Sequence, residues 1–424
     1  MELMSNDRTK SAQSVVIIGA GIIGLSVAYH LRRHGMIVTV VDRAPAGDKA
    51  SFGNAAGIAV SEIVPASVPG LMWRVPGWLL DPLGPLAVRP AHIVKLIPWL
   101  ARFARAGTET EVTRIAAALS TLNGRVYDDL RPMLAATGLA CELHEKGALT
   151  VYETVEGFQR DRQEWALKRR HGIQTADMTG DEARALEPAL GPIVQRAVFT
   201  PQWSHINDPK RLVDALRQWL LKDGVTLVTG NVENVATTSE VGPHVSLSDG
   251  HKLNAAKIVV AAGAWSGNLA RQLGDRVLLE SERGYNSTIP HPGIDLGREV
   301  IFAEKKFVAT PLTCGLRIGG AAEFGGLHAK PNFKRSEALV QLATRYLPGL
   351  RTEGGTSWSG HRPATPDSLP VIGPSPRARG IYYAFGHGHL GLTQAATTGR
   401  LVADLMHGIA SGIDLSPYSI SRFE

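Results

Sequence analysis

The chain has 424 residues, 44% of them apolar and 20% charged, with a formal charge of +6 and two cysteines. That length exceeds one ordinary core and implies two domains. Cys141 and Cys314 are too few for a disulfide framework or a cysteine zinc site, which fits a reducing compartment. The basicity comes without a Lys/Arg block, so it suits anionic substrates or an anionic membrane surface rather than nucleic acid.

The opening residues, MELMSNDRTKSAQS, are polar and hold neither a signal-peptide apolar core nor a twin arginine. No apolar run approaches the ~18 residues that cross a bilayer. The expectation is a cytoplasmic chain.

Ser14–Ser26 read SVVIIGAGIIGLS. Val15–Ile18 predict a buried parallel strand. Gly19, Gly21 and Gly24 follow in G-x-G-x-x-G spacing. Ile22–Arg33 then carry apolar residues at helical spacing, Gly35 stands where the helix should stop, and Ile37–Val41 predict a second strand ending at Asp42. Gly19 permits a tight turn, Gly21 lets backbone approach a pyrophosphate, and Gly24 allows close helix–strand packing. The helix N-terminus offers free N–H groups to phosphate. Asp42 is placed to accept ribose hydroxyls, which disfavours a 2′-phosphate. The motif therefore predicts FAD or NAD without choosing between them.

Ala50–Ile58, ASFGNAAGI, read as a flexible loop or as backbone lying flat against a planar ring. Val68–Ala106 are Pro-rich and contain Trp73, Trp78 and Trp99. In its last part Ile93, Leu96, Ile97, Leu100 and Phe103 predict one helical face, with Lys95, Arg102 and Arg105 opposite and Pro98 inside. Such a helix either packs on its own protein or docks on a bilayer surface.

Alternation predicts strands at Ala148–Tyr152, Val300–Thr310 and Leu316–Ala322. Between them, Asn207–Gly263 read as a unit: a helix capped by Asp208–Pro209, a strand at Val225–Val228, a hairpin around Ser248-Asp249-Gly250, and a buried strand at Ile258–Ala262. Trp358–Gly373, WSGHRPATPDSLPVIG, hold three prolines and read as a rigid loop presenting Arg362, suited to two-point capture of a carboxylate. Ile381–Phe385 predict a strand, then GHGHLGLTQ leads into an apolar helical run. His387 and His389 have metal-ligand spacing, but no further ligands stand nearby in the sequence.

The order GAGIIG, Asp42-Arg43, ASFGNAAG, VTLVTGNVENV, KIVVAAGAWS, GHRPATPDSLPVIG, GHGHLGLTQA resembles the D-amino acid oxidase/dehydrogenase family of flavoproteins, most closely its bacterial D-amino acid dehydrogenases. The likeness runs from about Val15 to Leu405.

The resemblance implies an α/β fold with an α+β second domain. A Rossmann-like FAD-binding domain would take 1–61, 207–281 and 356–424, and a discontinuous substrate domain with a mixed or antiparallel sheet would take 62–206 and 282–355. It implies non-covalent FAD. Gly19, Gly21, Ile22, Ile23 and Gly24 would serve the pyrophosphate, and Asp42 with Arg43 the adenosine end. Ser51, Asn54, Ala55, Gly57 and Ile58 would approach the flavin ring. Val232 would meet adenine, and Ala262, Gly263 and Trp265 would close the site. Gly360 and the loop of Gly388, His389, Leu390, Gly391 and Thr393 would border the flavin. No metal is implied. Some amine-oxidising relatives attach flavin through cysteine, but the segment around Cys314 does not match, so Cys314 reads as a core or strand residue.

By the same resemblance, Arg362 and Tyr285 would hold a substrate carboxylate while hydride leaves the α-carbon for FAD. Arg283 and Arg317 are left outside that set. The activity implied is oxidative deamination of a D-amino or imino acid, including D-proline or D-hydroxyproline types, with electrons passed to an acceptor such as a membrane quinone. That acceptor implies peripheral attachment to the inner face of the cell membrane. Two alternatives stay open: a glycine- or sarcosine-type oxidase using oxygen, and a non-catalytic flavin-binding subunit of a larger dehydrogenase.

Overall fold

The computed structural model describes residues 14–71, 75, 77 and 84–424. The polar amino-terminal stretch up to residue 13, Trp73 and Trp78 lie outside the described residues.

The strand Ser14–Ile18 is the centre of a six-stranded sheet. It pairs in parallel with Ile37–Asp42 on one side and Lys257–Val260 on the other. Thr226–Thr229 extends the sheet beyond the second strand, and Ile381–Phe385 and Val371–Pro374 extend it the other way. From Val15 to Ile18 the first strand is apolar because both its faces are covered. Val15 and Ile17 share a core with Leu25 of the helix Ile22–Arg33 and Leu401 of the helix Gly391–His407. Val16 and Ile18 share another with Val235, Val245 and Leu269. The two helices of the first core cross tightly at Gly399, where any side chain would collide with the Ser26 carbonyl. The expected unit at 207–263 is present, with its helix at Pro209–Lys222 capped by the Asp208 side chain. Its hairpin joins Val232–Thr238, Gly242–Leu247 and Lys252–Asn254 into a small antiparallel sheet.

The second large sheet has the strand order Thr356–Ala364, Glu280–Ile289, Gly315–Phe324, Phe307–Leu312, Glu299–Phe302, Ala148–Tyr152, Arg196–Thr200, Ala176–Thr179; Leu86–Val88 pairs beside Gly315–Phe324. Two expectations change here. Val300–Thr310 is not one strand: it breaks at a turn where Lys306 takes φ 57°, and its halves pair with each other. The start of WSGHRPATPDSLPVIG is a strand rather than a loop, paired along its length with Glu280–Ile289. Pro363 is tolerated because this strand is the edge of the sheet, where a missing N–H costs no ladder bond. The nine residues Thr356–Ala364 thus belong to the second sheet.

The helix Ile93–Ala106 runs on through Pro98. Its inner face is Leu96, Trp99, Leu100 and Phe103, packed against Phe324 and Ala364, with the Trp99 indole donating to the Ala364 carbonyl at 3.1 Å. Ile93 and Ile97, expected on that face, are instead 45% and 54% exposed, beside Val94 at 77%. The helix therefore carries two apolar strips, one inward and one outward. Cys141 and Cys314 are both free and exposed; Cys314 sits in the turn between Phe307–Leu312 and Gly315–Phe324, not in a core or a strand.

Candidate active site

A cavity of about 1380 Å³ lies between the two large sheets. At one end are the carboxyl ends of the parallel strands, where ligands of such sheets bind. Gly19 takes φ 113°, and a side chain there would strike the Ala261 carbonyl. Gly24 abuts the Gly19 carbonyl, so only hydrogen fits between helix and strand. The Ile22 amide donates to Ser51 Oγ at 3.0 Å, which ties the small-residue loop to the helix start.

Asp42 accepts from the Ala20 amide, the Ala44 amide and Lys49 Nζ, each at 2.8 Å. Burial pushes its pKa up, but the Lys49 and backbone hydrogen bonds outweigh that and hold the carboxyl below its usual range. Lys49 had no signal in the sequence reading. Arg43 lies over the Trp265 ring, 4.1 Å from its centroid, and Trp265 meets His361 edge-on. Val232, Ala262, Gly263 and Gly360 complete this part of the wall.

The loop Ala50–Gly57 is held rigid, not flexible. Asn54 bonds across it, donating to the Ser51 carbonyl and accepting from the Ala56 amide, each at 2.8 Å. Arg317 then donates to the Asn54 carbonyl at 2.7 Å, and Asn286 donates to the Gly53 carbonyl. Arg317 thus supports the site from the second sheet and does not pair with Glu323. Ala55 and Gly57 line the cavity, whereas Ile58 is fully buried behind it. Thr393 also stands behind the wall, with Oγ1 accepting from the Ala59 amide at 3.0 Å.

Gly388, His389, Leu390 and Gly391 form the wall where the helix Gly391–His407 begins. The two histidines differ. His387 is 2% exposed, with Nε2 2.9 Å from Thr398 Oγ1. His389 is open, but it opens into the cavity, and its buried setting pushes the imidazole below its usual 6.5. Among the described residues no three or more His, Cys, Asp or Glu gather to hold a metal.

The second sheet supplies the opposite wall. Arg362 pairs in register with Glu282, and its Nη1 donates to Glu282 Oε1 at 2.6 Å. Gly284 makes the space for it, since a side chain there would occupy the guanidinium position. Tyr285 does not join Arg362. Side chains alternate along Glu280–Ile289, so Glu282, Gly284 and Asn286 face the cavity and Tyr285 faces away. Tyr285 is 1% exposed, packs with Leu339 and Tyr346, and donates to Glu323 Oε2 at 2.5 Å while accepting from the Asn332 amide.

Farther along the cavity stand four charged residues from three distant segments. Buried Lys168 lies 2.8 Å from Glu62 and 3.0 Å from Glu164. Glu299 accepts from the Trp203 indole at 3.2 Å. Burial pushes the Glu299 carboxyl up to about 8, and Glu62 adds to the shift. A side chain on Gly57 would meet Glu299. None of these was singled out in the sequence, because each is an ordinary charge until the fold assembles them.

The residues fit a flavin dinucleotide. Both ends of the cradle are lined by glycine and small side chains, and two buried groups of its lining residues, Asn286 Oδ1 and His387 Nδ1, lack a protein hydrogen-bond partner, as expected of groups beside a polar ligand. A dinucleotide cradle closed by a second sheet that carries an arginine is the arrangement of a dinucleotide-dependent oxidoreductase. The family model described as DAO, FAD dependent oxidoreductase, matches residues 14–405, and the chain belongs to that family; its cofactor is FAD. It is 36% identical to a D-amino-acid oxidase of Bradyrhizobium diazoefficiens, over 96% of this chain and 98% of that protein. It is 32% identical to a D-amino acid dehydrogenase of Paramagnetospirillum magneticum, over 96% and 98%. Glycine oxidase from Geobacillus kaustophilus shares the fold, with a TM-score of 0.73 at 23% identity over 96% of this chain and 98% of that one.

Proposed function

We propose that the protein oxidises the C–N bond of a D-amino acid or cyclic imino acid, D-proline and D-hydroxyproline types included. The observation that carries this reading is Arg362 over Gly284, a fixed guanidinium inside the cavity that can take a carboxylate in two-point fashion. FAD, when bound, supplies the acceptor for the hydride that leaves the α-carbon. Arg362 orients the substrate, so that one carbon–hydrogen bond is presented rather than many. Arg317 and Asn286 keep the Ala50–Gly57 loop still from the opposite sheet. The names of the relatives, D-amino-acid oxidase and D-amino acid dehydrogenase, support the substrate class.

The acceptor we propose is a membrane quinone, reached from a bilayer surface. The support is the helix Ile93–Ala106. Its outer strip of Ile93, Val94 and Ile97 is flanked by exposed Lys95, Arg102 and Arg105, while its inner side lines the cavity. Among the described residues no helix is long and apolar enough to cross a membrane.

The test is turnover with a soluble quinone analogue against oxygen. Fast quinone reduction with little hydrogen peroxide supports a dehydrogenase; peroxide matching substrate consumption with every active substrate overturns it.

A further inference from the structure

An α-amino acid arrives with its amine protonated, and that proton must leave before hydride can. We propose that His389 accepts it, with Glu62, kept ionised by the buried Lys168, steadying the charge; this rests on the oxidation proposed above.

The geometry separates the two histidines of GHGHLGLTQ. His387 is buried and held to the helix through Thr398. His389 opens into the cavity. Four charged groups that line the same cavity act on it: Glu62, Lys168, Glu282 and Arg362. A substrate carries its carboxylate and amine on one carbon, so docking on Arg362 keeps the amine in the stretch of cavity that His389 faces.

The electrostatics suit the task. Burial has the largest effect and lowers the proton affinity of His389, so the imidazole is neutral and can accept. Glu62 and Glu282 raise that affinity, while Arg362 and Lys168 lower it. A carboxylate on Arg362 neutralises one of the opposing charges, so substrate binding itself makes His389 the better acceptor. Glu62 stays ionised because Lys168 is held beside it. In the step, an N–H bond of the ammonium breaks and an N–H bond to one ring nitrogen forms. The electron pair stays on the substrate nitrogen, total charge is unchanged, and the proton returns to water after product leaves.

The experiment is the pH profile of kcat/KM for anaerobic flavin reduction by the best D-amino acid, in the FAD-loaded enzyme and in His389→Asn and Glu62→Gln. In the unaltered enzyme the rising limb should lie below pH 6.5. In His389→Asn it should move up to the ionisation range of the free substrate amine, titrated in the same buffers, with kcat/KM at pH 7 falling roughly 10²-fold. Glu62→Gln should move the limb down, since the imidazolium loses a counter-charge. FAD absorbance and affinity for a carboxylate without an amine should hold in His389→Asn, which a merely structural role would not predict. If that variant loses FAD, His389→Gln and the position of the unaltered limb carry the test. An unaltered limb already in the amine range, or a variant profile that does not move, overturns the assignment alone. No bleaching by any D-amino acid overturns the oxidation reading and this assignment with it.

Discussion

Arg362 Nη1 lies 2.6 Å from Glu282 Oε1 on the neighbouring strand, both facing the cavity. Glu282 occupies one donor of the guanidinium that a substrate carboxylate would use. Without substrate the pair satisfies itself, and a carboxylate must compete with it.

Glu282→Gln should therefore tighten binding of a simple carboxylate such as benzoate, because the competing charge is gone. Arg362→Ala should weaken it by the value of a charge-assisted hydrogen bond, about 1.5–3 kcal/mol, with the yellow cofactor retained. Titration of the flavin spectrum measures both. Equal affinities in all three proteins would remove Arg362 from the substrate site.

Gly284→Ala probes the same point by shape. The added methyl occupies the guanidinium position, so Arg362 must swing away. KM should rise while FAD content stays normal. Gly19→Ala should do the reverse in kind, costing cofactor first, since its φ of 113° and the Ala261 carbonyl both exclude a side chain. A Gly284→Ala enzyme with normal KM would contradict the placement of Arg362.

Glu299 makes stability depend on pH. Its folded pKa is raised from the usual 4.5 to about 8, chiefly by burial. The folded state thus holds this proton more tightly than the unfolded state. The stability this gives is complete below pH 4.5 and is lost as pH rises through 8. Glu299→Gln, which stays neutral, should melt at a temperature that falls less between pH 5 and pH 9 than that of the unaltered chain. Parallel falls would show that Glu299 ionises freely in the fold.

Ile97→Asp places a charge on the outer strip of the helix Ile93–Ala106. Co-sedimentation with anionic vesicles should drop, while activity with a soluble acceptor is retained. Undiminished sedimentation would detach this helix from the membrane reading.

The dinucleotide cradle was legible because its chemistry is local: strand, glycines, helix and acid follow one another within 14–42. Arg362 was legible as a side chain held on a fixed backbone, and it does line the cavity, although its strand was hidden by Pro363, which an edge position accommodates. Tyr285 was not, because strand register is invisible in sequence. Arg362 pairs with Glu282, an odd number of residues from Tyr285, and that parity sends the phenol to the other face. The split faces of the helix Ile93–Ala106 fail for a related reason: an apolar stripe does not say which of its edges meets the protein. Glu62, Lys168 and Glu299 come from three distant segments and signal nothing until packing brings them to one cavity.

Anaerobic bleaching of the FAD-loaded protein across D- and L-amino acids and both stereoisomers of proline and hydroxyproline reads the substrate class and its handedness at once. The flavin should be reduced by D-isomers and stay oxidised with their L-counterparts. A flavin left oxidised by every D-isomer, or reduced only by L-isomers, would contradict the proposed function.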